Sequence, residues 1–314
     1  MTTSIDMVSL LTTILVLVDD WYLSKGQSLL RGKPGAKPEF KDSEVMTLML
    51  AQDFIPYPGE TQYLGYIRAN YRREFPKLVD QSQYNRRARS LRYLVEMLRR
   101  EWLGQLGVND PKQLLVDTKP IPVLGYKRTK SHSAFAGSAG YGHCAARNLN
   151  YFGYKLVMLT TLDGVPLVYD LVAANTDERE AAEVVLQRVK DCDIFGDKGF
   201  LGDDWQAAIL QQTGNRVWTP KRANQVLQNP AEFDRLLGSV REHIEGTFHC
   251  IQNTGRNIER LLAKTVHGLS TRVIVKVTCL VLKLLLRRHF AVTLLSMFSL
   301  FSFYPIRIHI RRLV

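Results

Sequence analysis

The stretch from residue 113 to 219 restricts the fold most, because its apolar runs are short, differ in period and are separated by turn formers. Residues 113–123 read as a strand. Residues 154–162 and 165–173 are apolar runs joined by Asp163-Gly164, and a two-residue Asp-Gly link between such runs signals a hairpin. Residues 178–189 read as a helix with Thr176 or Asp177 near its N-cap. Residues 193–195 read as a short buried strand, Asp203 or Asp204 as the cap of a helix to about Gln212, and 216–219 as one more strand. Residues 126–150, rich in Gly, Ser, Ala, His and Lys, read as a loop, and helix resumes from about Ser239. The order is strand, hairpin, helix, strand, helix, strand, helix, which predicts an α/β domain with a mixed sheet flanked by helices.

Residues 1–107 read as helical throughout. Asp42 is the expected N-cap of a helix through Ala51, with Glu44 in its first turn. A second helix is expected over about 83–106, where Leu91, Leu94, Val95, Leu98, Trp102 and Leu106 recur at helical spacing and Arg86, Arg89, Arg92, Arg99 and Arg100 fall mostly off that stripe. The domain plan is a helical region 1–107, a central domain 108–288 and an apolar, basic tail 289–314. Within the tail, residues 290–306 are uncharged, just short of a membrane span, and read as a buried or poorly folded appendage.

The net charge of +12 is unevenly placed. Residues 66–100 carry ten Arg and Lys against three acids, and residues 256–314 carry eleven against Glu259 alone. Two basic zones around a near-neutral middle suit a polyanion such as nucleic acid. A hydrophobic share of 46% supports a real core and excludes wholesale disorder. The four cysteines make no Cys-x-x-Cys clamp, so neither a zinc site nor a secreted disulfide framework is expected, and a reducing cytoplasm fits. The N-terminal apolar run 7–18 follows Asp6 with no basic lead. It reads as a poor signal peptide and is too short to cross a bilayer, so no membrane partner is expected.

Three acids stand where chemistry is expected. Asp117 follows Leu114-Leu115-Val116 in mid-strand, where an uncompensated carboxylate is costly to bury. Asp197 follows the short strand and leads into a glycine-containing turn, and it is preferred to Asp193 for that reason. Glu245 lies on the late helix beside the inward-facing Ile244 and Phe248, with Glu242 as its competitor. Two strand-borne aspartates and a helix-borne glutamate, in this element order, are how a ribonuclease H-like core gathers carboxylates around two divalent metals. Such metals activate a water or hydroxyl and steady the leaving oxygen in phosphodiester chemistry. Magnesium, a hard ion, takes oxygen ligands of this kind. Lys119, Lys155, Lys198 and Arg241 are candidate phosphate contacts, and Arg86, Arg89 and Arg92 candidate DNA-backbone contacts. His132, His143, His243 and His249 have no metal-ligand spacing.

Five segments carry a family resemblance: Val116-Asp117-Thr118-Lys119-Pro120, Tyr151-Phe152-Gly153-Tyr154-Lys155-Leu156, Asn175-Thr176-Asp177-Glu178-Arg179-Glu180, Phe195-Gly196-Asp197-Lys198-Gly199-Phe200 and His243-Ile244-Glu245. As an ordered set over roughly residues 40–288 the chain resembles the DDE transposases of bacterial insertion sequences, most closely insertion sequence family 982. The resemblance implies a helical N-terminal region that binds transposon ends and a catalytic domain using two Mg²⁺ ions, with Mn²⁺ able to substitute. By position it puts the catalytic and metal-binding triad on Asp117, Asp197 and Glu245. It implies end cleavage that exposes a 3′-hydroxyl, attack of that hydroxyl on target DNA, partners in the terminal inverted repeats and target DNA, and a homodimer on DNA. Gln252 stands where the family often has Lys or Arg. The alternatives are a stand-alone metal-dependent nuclease on the same fold and a catalytically inactive, transposase-derived DNA-binding protein.

Overall fold

The computed structural model describes residues 5–30, 38–127, 131–145, 148–222, 225, 228–255 and 257–290. The described residues divide into two compact units, one formed by those up to Gly107 together with residues 251–290, the other by Val108–Cys250.

The first unit is helical. Helix α1 (Met7–Trp21) is capped by Asp6, whose carboxylate accepts from the Ser9 amide at 3.0 Å. Helices α2 (Asp42–Ala51), α3 (Glu60–Asn70) and α4 (Gln81–Gln105) follow, and α8 (Val266–Phe290) packs against α2 and α4. The sequence plan runs the central domain through 288. By packing, α8 groups instead with the N-terminal helices, because its apolar residues Val273, Val277, Val281 and Leu285 are buried there. Asp42 is not the N-cap of α2: Lys41 takes that position, and the Asp42 carboxylate accepts instead from Arg87 Nη2 at 2.6 Å. The expected helix over 83–106 is α4, with Asp80 as its cap and Leu91, Leu94, Val95, Leu98 and Trp102 buried.

The N-terminal helix also departs from the expected length. A π turn (Tyr22–Gly26) and a 3-10 turn (Gln27–Leu29) continue α1, so Met7–Leu29 is 23 residues of helix, long and apolar enough by length and composition to cross a membrane. Leu10, Leu11, Ile14, Val18 and Trp21 are buried within the unit.

The second unit holds a six-stranded mixed sheet. Strands β1 (Gln113–Leu124), β3 (Leu149–Thr161) and β4 (Pro166–Ala173) are antiparallel neighbours, while β5 (Asp193–Phe195) and β6 (Arg216–Trp218) run parallel on the far side of β1. Strand β2 (Gly140–Cys144) pairs with the start of β3 and lies within the segment expected to be loop. The Asp-Gly hairpin is present, with Gly164 at φ 76° in a conformation that glycine adopts without strain. Helices α5 (Glu178–Leu186), α6 (Asp203–Thr213) and α7 (Ala231–Asn253) complete the elements, and Leu114, Val116, Val157, Leu159, Ala182, Val185 and Ile194 form the core under α5. Gly202, not an aspartate, precedes α6. The architecture is the mixed α/β sheet flanked by helices, with a helical N-terminal region, that the element order predicts. The tail beyond residue 290 lies outside the described residues.

Candidate active site

Strand register brings the first two acids together. Leu114 and Val116 face the α5 core, so the alternation along β1 turns Leu115, Asp117 and Lys119 to the other face. Helix α7 meets that face: Lys119 Nζ lies 5.8 Å from the centre of the Phe248 ring. Strand β5 runs parallel to β1 with Leu115 beside Phe195. Two residues beyond that pair, each chain reaches an aspartate. Asp197 is fixed as the cap of a 3-10 turn, its Oδ1 accepting from the Gly199 amide at 2.7 Å. Asp117 Oδ1 accepts from the Thr118 amide at 2.7 Å.

The competitor Asp193 has a structural task, since its carboxylate accepts from Trp218 Nε1 at 2.9 Å. Glu242 is exposed. Glu245 stands on the same helix as Arg241, whose Nε lies 3.2 Å from Glu245 Oε1 and whose Nη2 lies 3.8 Å from Asp197 Oδ2. Arg241, expected to meet phosphate, thus ties two of the three acids together.

A further acid belongs to this group. Glu178 opens α5 directly after its cap Asp177. A methyl group on Gly199 would overlap Oε2 of Glu178 and lie 2.9 Å from Oδ1 of Asp197, so the absence of a side chain there makes room for the Glu178 carboxylate close to Asp197. Electrostatics reports the crowding. Burial, with the negative charges of Asp197 and Glu178 beside it, pushes Asp117 up to about 7, against the opposing pull of the Thr118 amide and Arg241. Burial and Asp197 likewise raise Glu178, with Lys155 opposing. The sequence carries a signal for Glu178, because it sits in one of the five segments of the resemblance, yet an acid in a first helical turn ordinarily serves the helix dipole.

Beside the acids opens a cleft of about 660 Å³ lined by Lys155, Asn175, Thr176, Asp177, Glu178, Arg179, Gly199, Leu201 and Arg222. Lys155 is held there by donating to the Thr176 carbonyl at 2.7 Å, and Arg179 is paired to Asp177 at 3.1 Å. Lys198 is exposed. In the helical unit, Arg86 is exposed, Arg89 Nε donates to the Asn85 carbonyl at 3.4 Å and Arg92 Nη1 to the Arg89 carbonyl at 2.7 Å. None of these three takes part in a described ion pair. Much of the remaining positive charge is spent internally: Arg99 and Arg100 pair with Glu96, Arg272 with Glu60, and Lys276 and Lys283 with Asp53. The expected C-terminal basic zone is therefore partly interior, because its cations meet carboxylates far away in sequence.

Compared with known families, residues 109–282, more than half of the chain, match the model of the transposase DDE domain. The chain belongs to the transposase DDE domain family. No match was found among curated proteins or among solved structures. Transposases of this family act on DNA and generally use divalent metal ions. Among the described residues no group of three or more His, Cys, Asp and Glu is arranged to hold a metal ion. The donor chemistry nonetheless fits a hard cation. The carboxylates of Asp117, Asp197 and Glu178 offer oxygen alone, and they repel one another until a positive charge joins them. Gly199 makes room for one of them, Glu178, beside Asp197. Magnesium binds through one or two carboxylates together with substrate phosphates, so a pair of protein ligands suffices.

Proposed function

We propose that the protein is a transposase of the insertion-sequence type, cleaving DNA at the ends of a mobile element and joining the exposed 3′-hydroxyl to target DNA. The likeness to insertion sequence family 982 in the five ordered segments supports the finer assignment. The single observation that carries the reading is that Asp117, on β1, and Asp197, two residues past the parallel strand β5, lie close enough to act on one another inside a transposase DDE domain.

In this reading Asp117, Asp197 and Glu245 are the catalytic acids. Bound divalent ions supply the lowered pKa of the attacking group and the charge on the leaving oxygen. The chain's own residues do the rest. Arg241 orients Asp197 and Glu245 toward one another. Thr118 and Gly199 amides fix the rotamers of the two aspartates. Lys155 and Lys198 meet DNA phosphates at the sheet domain, with Lys119 oriented by the Phe248 ring, while Arg86, Arg89 and Arg92 grip the backbone of an element end from α4. Terminal inverted repeats and target DNA are the partners, a homodimer holds two ends, and the protein works in the cytoplasm on the nucleoid.

The test is a supercoiled plasmid carrying the element with its native ends, incubated in magnesium with wild type and Asp117→Asn. End-specific nicks and joined products with wild type alone are expected, with the variant's cleavage reduced by about a thousandfold or more, on the order of 4 kcal/mol of transition-state stabilisation. Cleavage without joining points to a stand-alone nuclease. Binding without cleavage by wild type points to a transposase-derived DNA-binding protein.

A further inference from the structure

We propose that Tyr126 and Tyr141 form a platform on which unpaired bases of a DNA strand stack, on the face of the sheet that carries Asp117. The inference deepens the transposase reading and rests on it for the source of the strand, an element end opened at the cut.

The sequence prepares the surface. Residues 118–162 include Lys119, Lys127, Arg128, Lys130, Arg147 and Lys155 but no Asp or Glu. No carboxylate of this segment repels a phosphate backbone, and the exposed Lys127 follows Tyr126 directly. Glycines then set β2. A methyl group on Gly140 would overlap Asn175 Oδ1, and one on Gly142 would lie 2.9 Å from the Ala174 side chain, so β2 passes close to the chain that follows β4. Between those glycines, strand alternation turns Tyr141 to the opposite face.

Register identifies that face. Tyr141 pairs with Phe152, and Met158, on the same strand β3, pairs with Asp117. Phe152 and Met158 are an even number of residues apart and share a face, which puts Tyr141 on the Asp117 side at about 20 Å along β3. A stacked strand covers that span in about six nucleotides.

The rings are set before any base arrives. Buried Phe152 lies 5.0 Å from Tyr141 between ring centres, and Tyr126 lies 5.6 Å from Tyr141, both edge to face. Tyr126 is nonetheless 47% exposed and Tyr141 53%. Every other aromatic residue described in the sheet unit is buried or half-buried. Single exposed apolar residues are ordinary, whereas two touching rings braced by a third make a surface. Exposed His143, two residues along β2 from Tyr141, extends it on the same face. Aromatic rings among cations suit bases, since every base offers a π-face and its phosphates meet the positive charge.

The test is fluorescence anisotropy of the full-length chain with a labelled single-stranded oligonucleotide and, separately, a fully paired duplex of the same length, with circular dichroism to confirm folding. Wild type, Tyr126→Ala/Tyr141→Ala, Tyr126→Phe/Tyr141→Phe and the exposed control Leu210→Ala are compared. The double alanine variant should bind the single strand about 5–100-fold more weakly for each base no longer stacked, with its salt slope unchanged because no phosphate contact is lost. Its duplex binding should stay within about twofold of wild type. The phenylalanine variant keeps the rings and should bind as wild type, as should Leu210→Ala. Wild-type binding of the single strand by the double alanine variant, equal losses on single strand and duplex, or no binding of the single strand by wild type would each overturn the platform. A change in self-association without a change in DNA binding would assign the face to a second copy of the chain and overturn it too. End-specific cleavage of the plasmid by wild type, alongside any of these results, leaves the transposase reading standing. Selective loss of single-strand binding in a chain that never cleaves would sink that reading and keep the platform.

Discussion

Each unit of the molecule withdraws a carboxylate from water, Asp53 fully and Asp117 in part, and the two are treated in opposite ways. In the helical unit Asp53 receives Lys276 Nζ and Lys283 Nζ, both at 2.5 Å, and the Thr254 hydroxyl at 3.0 Å. Burial alone would raise its pKa, but the two ammonium groups outweigh burial and hold Asp53 below the usual carboxylate range. In the sheet unit Asp117 receives its neighbour's amide and faces two further carboxylates, and burial drives it up to about 7. One carboxylate is balanced by its own chain; the other is left short of positive charge. The first arrangement fastens α8 to the end of α2. The second keeps carboxylates that gain most when a cation arrives, the pattern expected of a reaction centre.

The comparison breaks most sharply at Asp53. Asp53→Ala strands two buried lysines and should destabilise the protein by about 3–5 kcal/mol, measured by urea denaturation. Replacing Asp53, Lys276 and Lys283 together with apolar residues of similar volume should recover most of that loss, because no unpaired charge remains. A cost below about 1 kcal/mol for Asp53→Ala would show that water reaches the cluster and that the charge balance is unimportant.

Next in size is the pH dependence of the metal-free protein, where the two acids have opposite signs. The folded-state pKa of Asp117 is raised, so its contribution is present below the ordinary carboxylate pKa and is lost as pH rises through about 7. The folded-state pKa of Asp53 is lowered, so its contribution is present above the ordinary value and is lost as pH falls through the lowered one. Asp117→Asn should flatten the decline between about pH 4 and about pH 7 and leave the acid limb unchanged, which thermal unfolding across pH will show. Retention of the full decline in Asp117→Asn would assign it elsewhere.

The smallest effect separates arginines of α4 outside the described ion pairs from one that is ion-paired. Arg86, Arg89 and Arg92 to Ala together should leave stability nearly unchanged and reduce the salt slope of DNA binding by up to about 0.9 for each phosphate no longer neutralised. Arg87→Ala removes the 2.6 Å pair with Asp42 and should cost at most about 1 kcal/mol of stability, with little change in that slope. Identical salt slopes for both variants would take this helix out of the DNA interface.

What is legible in the sequence follows from range. Element order puts Asp117 on β1 and Asp197 just past the neighbouring parallel strand, and the Trp218 bond gives Asp193 a structural task that spacing alone does not show. Strand β2 is not legible: its glycines and polar residues read as loop, and only pairing with β3 makes it a strand. Basic residues 256–288 look like one polyanion-binding zone because a charge run does not reveal its partners. Lys276 and Lys283 find theirs in Asp53, more than 200 residues earlier. Glu178 escapes for a similar reason, since Gly199, which makes room for its carboxylate, is separated from it along the chain by the rest of α5 and by β5 but adjacent in space.

The most direct test of the contrast between the two acids is thermal unfolding of wild type and Asp117→Asn at about pH 8, above the raised Asp117 pKa, with and without magnesium. Asp117→Asn is expected to be more stable than wild type in the absence of metal, because it removes a partly buried charge held among like charges, and to gain less from magnesium than wild type does. A variant that is less stable without metal, or that gains as much from magnesium, would contradict the assignment of Asp117 to a cation-dependent reaction centre.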